Sequence, residues 1–121
     1  MIVLFDDNRI FKNNVDCVIL RNNKEAKEWM KTLEKDQIID QLWLDHDLGV
    51  VNGKIETTIP FVNKLEKLFI KENPLAIKEV IVHTTNIVGG ERIMKSLKPL
   101  YKTIRVPASD YLKVDWPIRI L

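Results

Sequence analysis

The 121-residue chain is poor in cysteine, histidine and glycine, with one, two and four of them. Cys17 cannot form an internal disulfide, and its apolar surroundings predict an inert buried thiol, which suits a reducing compartment. The longest apolar runs are far shorter than the roughly 18 residues of a membrane span, and no signal-like segment opens the chain. The sequence therefore predicts a soluble cytoplasmic protein without a membrane partner.

Charge is also nearly balanced. The formal net charge is +2, which is too small to indicate a nucleic-acid-binding surface by itself. Hydrophobic residues make up 45% and charged residues 30%, as in ordinary globular proteins. The length predicts a single domain over residues 1–121, with a core of about 1–106 and a C-terminal extension of 107–121.

Apolar periodicity predicts five strands and three helices. Polar stretches at 6–14 and 50–58 are expected to be loops. The predicted strands are Ile2–Phe5, Val15–Leu20, Ile38–Leu44, Glu79–Val82 and Lys102–Val106. The predicted helices run from Asn22 or Asn23 to about Lys35, from Thr58 or Ile59 to about Glu72, and over a short segment introduced by Gly89-Gly90.

This alternation predicts an α/β fold of three layers, with helices on both faces of a mostly parallel five-stranded sheet. The right-handed crossover rule makes 2-1-3-4-5, the flavodoxin-like order, the simplest topology. The extension, which contains Trp116 and ends in the apolar run Ile118–Leu121, would cover the sheet edge or a neighbouring subunit, so a homodimer is one expectation.

That strand order brings acidic residues from two central strand ends to one rim. Asp6 and Asp7 follow the first strand, and Asp45 and Asp47 follow the third. Because four carboxylates would repel one another, a hard divalent cation such as Mg²⁺ or Mn²⁺ is expected at Asp6, Asp7 and Asp45. Nearby cations, Arg9 among them, are an alternative to the metal.

Both histidines also fall at strand ends. Opening a cyclic phosphodiester needs one group to activate water and another to protonate the departing oxygen, and imidazoles serve both roles near neutral pH. His46 and His83 are therefore candidate catalytic residues, with Asp45 and Asp47 orienting a ring or binding metal. A turn directly after Leu44 would be needed to bring His46 to the same side as its neighbours. Candidate phosphate contacts are Arg9, Thr84, Thr85, Asn86 and the backbone N–H groups of Gly89-Gly90.

Three segments together resemble a known family, the cyclic-phosphate-processing receiver-like domains. They are Asp6-Asp7-Asn8-Arg9, Leu44–Gly49 and His83-Thr84-Thr85-Asn86, in this order over about residues 1–106. The resemblance implies a receiver-like fold and the hydrolysis or handling of cyclic phosphates, on nucleotides or RNA ends.

Two other functions are compatible with the same residues. A binding module could sequester a cyclic nucleotide or an RNA end without hydrolysis. A Mg²⁺-dependent receiver could accept a phosphoryl group on Asp45. The receiver comparison fails at the last strand, where Val106 precedes Pro107 in place of a lysine, and Arg105 is expected on the opposite face.

Overall fold

The structure is a computed structural model that describes residues 1–115. The apolar end of the predicted extension, and with it the expected dimer contact, lies outside the described residues. The strands are β1 (Ile2–Phe5), β2 (Arg9–Phe11), β3 (Val18–Leu20), β4 (Ile38–Ile39), β5 (Gln41–Leu44), β6 (Asp47–Val51), β7 (Lys54–Thr57), β8 (Ala76–Ile77), β9 (Val80–Val82), β10 (Thr103–Arg105) and β11 (Leu112–Val114). The helices are α1 (Asn23–Thr32), α2 (Ile59–Ile70), α3 (Ile87–Leu97) and α4 (Ala108–Tyr111).

The main sheet consists of five parallel strands in the order β3-β1-β5-β9-β10. Numbered along the chain within this sheet, the order is 2-1-3-4-5, as the sequence predicts. Helices flank the sheet, so the predicted receiver-like α/β fold is confirmed. Each of these strands lies within its predicted range, and all but β1 are shorter than predicted.

The three central strands end at the same level. Phe5 pairs with Leu44, and Leu44 pairs with Val82. The residues one step further along each strand stay in register. The Asp45 amide donates to the Phe5 carbonyl and the His83 amide donates to the Leu44 carbonyl, both at a distance of 3.0 Å. The sheet therefore brings the ends of β1, β5 and β9 to one rim.

The direction of each crossover decides which face of the sheet it covers. The connection from β1 to β3 moves toward one edge, whereas the next three connections move toward the other. Because parallel crossovers are right-handed, α1, α2 and α3 share one face and the first connection lies on the opposite face. The buried core on the helical face includes Val3, Phe5, Leu42, Leu44, Val80 and Val82 of the sheet with Ala26, Phe61, Val62, Leu65, Ile93 and Leu97 of the helices.

The opposite face is covered by a ribbon of β2 paired antiparallel with β11, together with α4. The prediction of a loop over residues 6–14 is wrong for β2, whose partner comes from near the other end of the chain. Trp43 lies at the centre of this face and makes edge-to-face ring contacts with Phe11 at 5.0 Å and Tyr111 at 5.4 Å. Ala108 and Leu112 are buried here, so the described part of the extension covers a face of its own sheet.

The predicted loop over residues 50–58 is also wrong. Most of it belongs to a β-hairpin of β6 and β7 that extends from the rim. The hairpin turns at Asn52 and Gly53, which have φ of 52° and 77°. An Asn-Gly pair with positive φ at both residues is the signature of a tight two-residue hairpin turn.

The predicted strand Ile38–Leu44 is interrupted at Asp40. Its first two residues, β4, pair with β8 in a separate two-stranded sheet, and only β5 joins the main sheet. The Asp40 carboxylate accepts from the Met1 amino group at 2.6 Å and lies 3.2 Å from Lys78 Nζ. These charged contacts hold the break in place.

Helix boundaries differ from the predictions by a few residues. The side chain of Asn22 caps α1 and that of Asn86 caps α3, which places Gly89 and Gly90 inside the first turn of α3 and not before it. The helices are short, and none within residues 1–115 is long and apolar enough to cross a membrane.

Candidate active site

Three buried polar side chains lie immediately beyond the central strands. Asp6, Asp45 and His83 follow β1, β5 and β9, and their exposed fractions are 0%, 6% and 0%. Buried charged groups are costly unless they are paired, so the contacts of these three residues define the site.

Arg9 bridges the two buried carboxylates. Its Nη1 lies 3.1 Å from Asp6 Oδ2 and 3.3 Å from Asp45 Oδ2. The other oxygen of Asp6 accepts from the backbone amides of Asn8 and Arg9, and the other oxygen of Asp45 accepts from the amide of His46. The tight turn after β1 thus positions Arg9 over both carboxylates.

His83 is held inside the protein. Its Nε2 lies 2.9 Å from Asp6 Oδ2, and its ring centre lies 6.1 Å from that of Trp43. Its Nδ1 is buried and has no hydrogen-bond partner among residues 1–115. Because an ionised carboxylate only accepts hydrogen bonds, Nε2 is the protonated nitrogen in this pair.

His46 lies in a separate group of contacts nearer the surface. Its Nδ1 is 2.8 Å from Asp47 Oδ1, and 12% of its side chain is exposed. Asn86 supports the pair, since its Nδ2 donates to Asp47 Oδ2 at 3.3 Å while its Oδ1 accepts from the Gly89 amide. The neighbouring side chains of His46 and Asp47 meet, so the extended chain does not persist beyond Leu44.

The imidazole of His46 packs against bare helix backbone. A Cβ built on Gly89 would lie 2.4 Å from Cγ and 2.6 Å from Nδ1 of His46. Real Cβ atoms do not approach other atoms this closely, so only glycine leaves room for the ring at this position.

The two histidines therefore occupy different surroundings. His83 contacts Asp6 at the centre of the site, whereas His46 contacts Asp47 and Asn86 beside α3. Asp45 lies beside both, because its Oδ1 accepts from the His46 amide and a carboxylate oxygen lies within 4.8 Å of a ring nitrogen of His83.

The predicted phosphate contacts fall into an exposed group and a group already used in hydrogen bonds within the protein. Thr85 is exposed, but Thr84 is buried and its Oγ1 accepts the Asn86 amide at 3.1 Å. The amides of Gly89 and Gly90 donate to the side chain and the carbonyl of Asn86. The expectation that these two amides bind phosphate is wrong, because the helix cap already uses them.

Two residues that support the rim are absent from the predictions. Thr58 Oγ1 donates to the Asp45 carbonyl at 2.6 Å, and its amide donates to the His46 carbonyl at 2.9 Å. Arg21 Nη1 donates to the Asp6 carbonyl at 3.1 Å and to the Arg9 carbonyl at 2.6 Å. Neither has a sequence signal, since the role of Thr58 depends on the unpredicted hairpin and that of Arg21 on the β2 ribbon.

Arg105 lies where its strand register predicts. It pairs with Val82, which belongs to the helical face, so its side chain lies on that side of the sheet. Its Nη2 donates to the Thr84 carbonyl at 3.2 Å, and a Cβ on Gly90 would lie 2.8 Å from its Cζ. Arg105 therefore braces the segment between β9 and α3.

Burial and neighbouring charge shift the pKa values of three of the four rim aspartates, in different directions. For Asp6, burial raises the pKa, but the His83 hydrogen bond, the Asn8 amide and the charges of His83 and Arg9 outweigh burial and lower it to about 2. Burial and the charge of Asp6 raise the pKa of Asp45. Burial, followed by the charges of Asp6 and Asp45, raises the pKa of Asp7, whose Oδ2 lies 3.3 Å from a Cβ built on Gly49.

The Asp6 shift predicts a specific loss of stability in acid. Its pKa is about 2 in the fold against an ordinary 3.8, so its ionised form stabilises the fold above pH 3.8, and this contribution is lost as the pH falls toward 2. The loss is about 2 kcal/mol between pH 5 and pH 2. Urea unfolding of the wild type and Asp6→Asn at several pH values should show the stability difference narrowing by that amount. A constant difference would contradict the pairing of Asp6.

Asp6, Asp45 and His83 form a cluster that can be tested as a metal site. One ligand atom from each lies within 4.8 Å of the others. The predicted set contained Asp7, whereas this cluster contains His83. With Arg9 in place, all four oxygens of the two aspartates already accept hydrogen bonds from the protein. A cation at this cluster would therefore compete with Arg9 for the carboxylate oxygens.

Comparison with known proteins identifies the family. A family model described as the cyclic-phosphate processing Receiver domain matches residues 1–99. The chain belongs to this family. Searches of curated proteins and of solved structures found no match.

Membership of the cyclic-phosphate processing receiver family confirms the resemblance seen in the three strand-end segments. It associates the chain with cyclic-phosphate processing, and the matched range contains both histidines and the rim aspartates. Arg105 and the ribbon strand β11 follow the matched range.

Proposed function

We propose that this rim hydrolyses a cyclic phosphate, carried by a nucleotide or an RNA end, with His46 taking the proton from water. The observation that supports this best is the state of the His46 ring. Its Nδ1 is held by Asp47 at 2.8 Å, and its Nε2 has no hydrogen-bond partner among residues 1–115. Because the carboxylate accepts the Nδ1 proton, the Nε2 lone pair is left to act as the base.

The reaction requires two proton transfers. A water attacks phosphorus as the bond from phosphorus to one ribose oxygen breaks, and the product is a phosphate monoester. His46 Nε2 takes the water proton, and Asp7 gives a proton to the departing oxygen. Asp7 suits that role because it is partly exposed and because burial and the charges of Asp6 and Asp45 raise its pKa.

Arg9 is the proposed phosphate contact. Asp6 and Asp45 both contact its Nη1, and within residues 1–115 its Nε and Nη2 have no hydrogen-bond partner, so they remain for phosphate oxygens; 23% of the side chain is exposed. A guanidinium suits two phosphate oxygens through parallel hydrogen bonds. The exposed hydroxyl of Thr85 is a second donor.

His83 has a different part in this proposal from the one the sequence suggests. A pair of catalytic histidines needs both rings to reach the substrate, and His83 is fully buried with Nε2 bonded to Asp6. We assign it to fixing the Asp6 carboxylate, which in turn holds Arg9.

Turnover of defined substrates tests the proposal. The protein is incubated with 2′,3′- and 3′,5′-cyclic nucleotides, with and without EDTA, and the products are followed by ³¹P NMR. We expect a cyclic phosphate to be converted to a phosphate monoester, and we expect the rate of conversion to be the same with and without EDTA. If every nucleotide is recovered unchanged after denaturation, hydrolysis is wrong.

The same assay separates the alternatives. A sequestering module would bind a nucleotide and return it intact after denaturation. A phosphoacceptor receiver would respond to acetyl phosphate or beryllofluoride with Mg²⁺. We expect neither acetyl phosphate nor beryllofluoride to modify Asp45. Arg9 already contacts its Oδ2, and Val106 takes the position before Pro107 at which receivers have a lysine.

A further inference from the structure

Arg9 lies between the carboxylates that would otherwise hold a cation. Its Nη1 is within 3.3 Å of one oxygen of each, and the guanidinium offsets the repulsion between two buried negative charges. A divalent ion at the Asp6–Asp45–His83 cluster would need the same oxygens, because hard cations bind carboxylate lone pairs directly.

The remaining lone pairs give little room for a cation beside Arg9. Asp6 Oδ1 accepts two backbone amides, and Asp6 Oδ2 accepts both Arg9 and His83. Asp45 Oδ1 accepts the His46 amide and Asp45 Oδ2 accepts Arg9. An entering ion must therefore displace charge-assisted hydrogen bonds, which are the strong kind.

The backbone of Arg9 keeps its side chain in place. Its amide donates to Asp6 Oδ1, and its carbonyl accepts from Arg21 at 2.6 Å. Arg9 is also the first residue of β2, where it pairs with Val114 of β11. The position of the guanidinium is thus set by the ribbon as well as by the carboxylates.

We propose that Arg9 is the resident cation of this site and excludes divalent metal, and that removing it exposes a metal site formed by Asp6, Asp45 and His83. This inference is independent of the proposed reaction, since it concerns which cation the rim accepts and not which bond is cleaved.

Mn²⁺ titration measured by water-proton relaxation tests it. The wild type and Arg9→Lys, which keeps a positive charge, should show no saturable binding at 1:1 stoichiometry. Arg9→Ala and Arg9→Met should each bind one Mn²⁺ at least about tenfold more tightly than the wild type. Both variants lack the charged, hydrogen-bonded guanidinium that competes with the ion. Adding Asp45→Asn to either should remove the gained site. Arg105→Ala is the matched control, because it removes an arginine near the rim whose side-chain hydrogen bonds, within the described residues, all go to carbonyl oxygens.

Two results would overturn the proposal. One is saturable 1:1 binding of Mn²⁺ by the wild type that Asp45→Asn abolishes. The other is a folded Arg9→Ala or Arg9→Met protein that binds Mn²⁺ no better than the wild type. The wild-type titration tests the exclusion of metal even if both variants unfold, and neither result depends on turnover.

Discussion

Replacing His46 with alanine is expected to lower the turnover of a cyclic phosphate by about 10²–10⁴-fold, the usual contribution of one acid–base group. The imidazole is the partly exposed group at this rim that has both a carboxylate partner, Asp47, and an unbonded nitrogen among residues 1–115. Stability should also fall somewhat, because only 12% of the side chain is exposed and the ring packs against Gly89. Steady-state rates with the best cyclic nucleotide, beside thermal unfolding of the same samples, measure both effects.

His83→Ala is the informative comparison. It removes one of the two donors to Asp6 Oδ2 and empties a fully buried position, which should cost about 1–3 kcal/mol of stability although Arg9 still donates to that oxygen. Assayed well below its unfolding temperature, it should retain more activity than His46→Ala. Equal losses in the two folded variants would support a catalytic pair of histidines and contradict our assignment.

Gly89→Ala should lower activity by about 10²-fold while leaving the protein folded. The new methyl group would lie 2.4 Å from the His46 ring, which must shift and lose its contact with Asp47. Displacements of about 1 Å in catalytic groups can have effects of this size. Alanine favours helix by up to about 1 kcal/mol over glycine, which offsets part of the cost in stability of moving the ring.

Gly90→Ala provides the matched control. Its methyl group would meet the guanidinium of Arg105, the far end of a flexible side chain that can move aside. We expect near-normal activity and a similar gain in helix propensity. If both glycine variants lose activity equally, the defect comes from a change in α3 as a whole. That result would contradict the importance of the contact between Gly89 and the His46 ring.

The strand ends could be predicted because they follow from short-range patterns. Runs of buried residues fix where β1, β5 and β9 lie, and parallel strands end at a common rim. The sequence therefore predicts that Asp6, Asp45 and His83 lie together, and they do. The turn after Leu44, which the sequence left open, is present.

The features that could not be predicted depend on contacts between distant parts of the chain or on how deeply a side chain is buried. The pairing of β2 with β11 joins two three-residue strands from opposite ends of the chain, and neither has a strong pattern of its own. Sequence spacing treats His46 and His83 alike, yet one side chain is partly exposed and the other is enclosed by the Trp43 face. The Asn52-Gly53 turn, by contrast, carried a readable hairpin signal in the sequence.

The β2–β11 ribbon determines how long a fragment of this chain must be to keep the rim intact. The family match stops at residue 99, but Asp115 donates its amide to the Asn8 carbonyl and accepts Arg21 Nη2 at 3.0 Å, beside the segment that carries Arg9. A fragment cut at the limit of the match would lose β10 and uncover Trp43. Any fusion or transplant that is meant to keep the rim intact should therefore extend at least to Asp115.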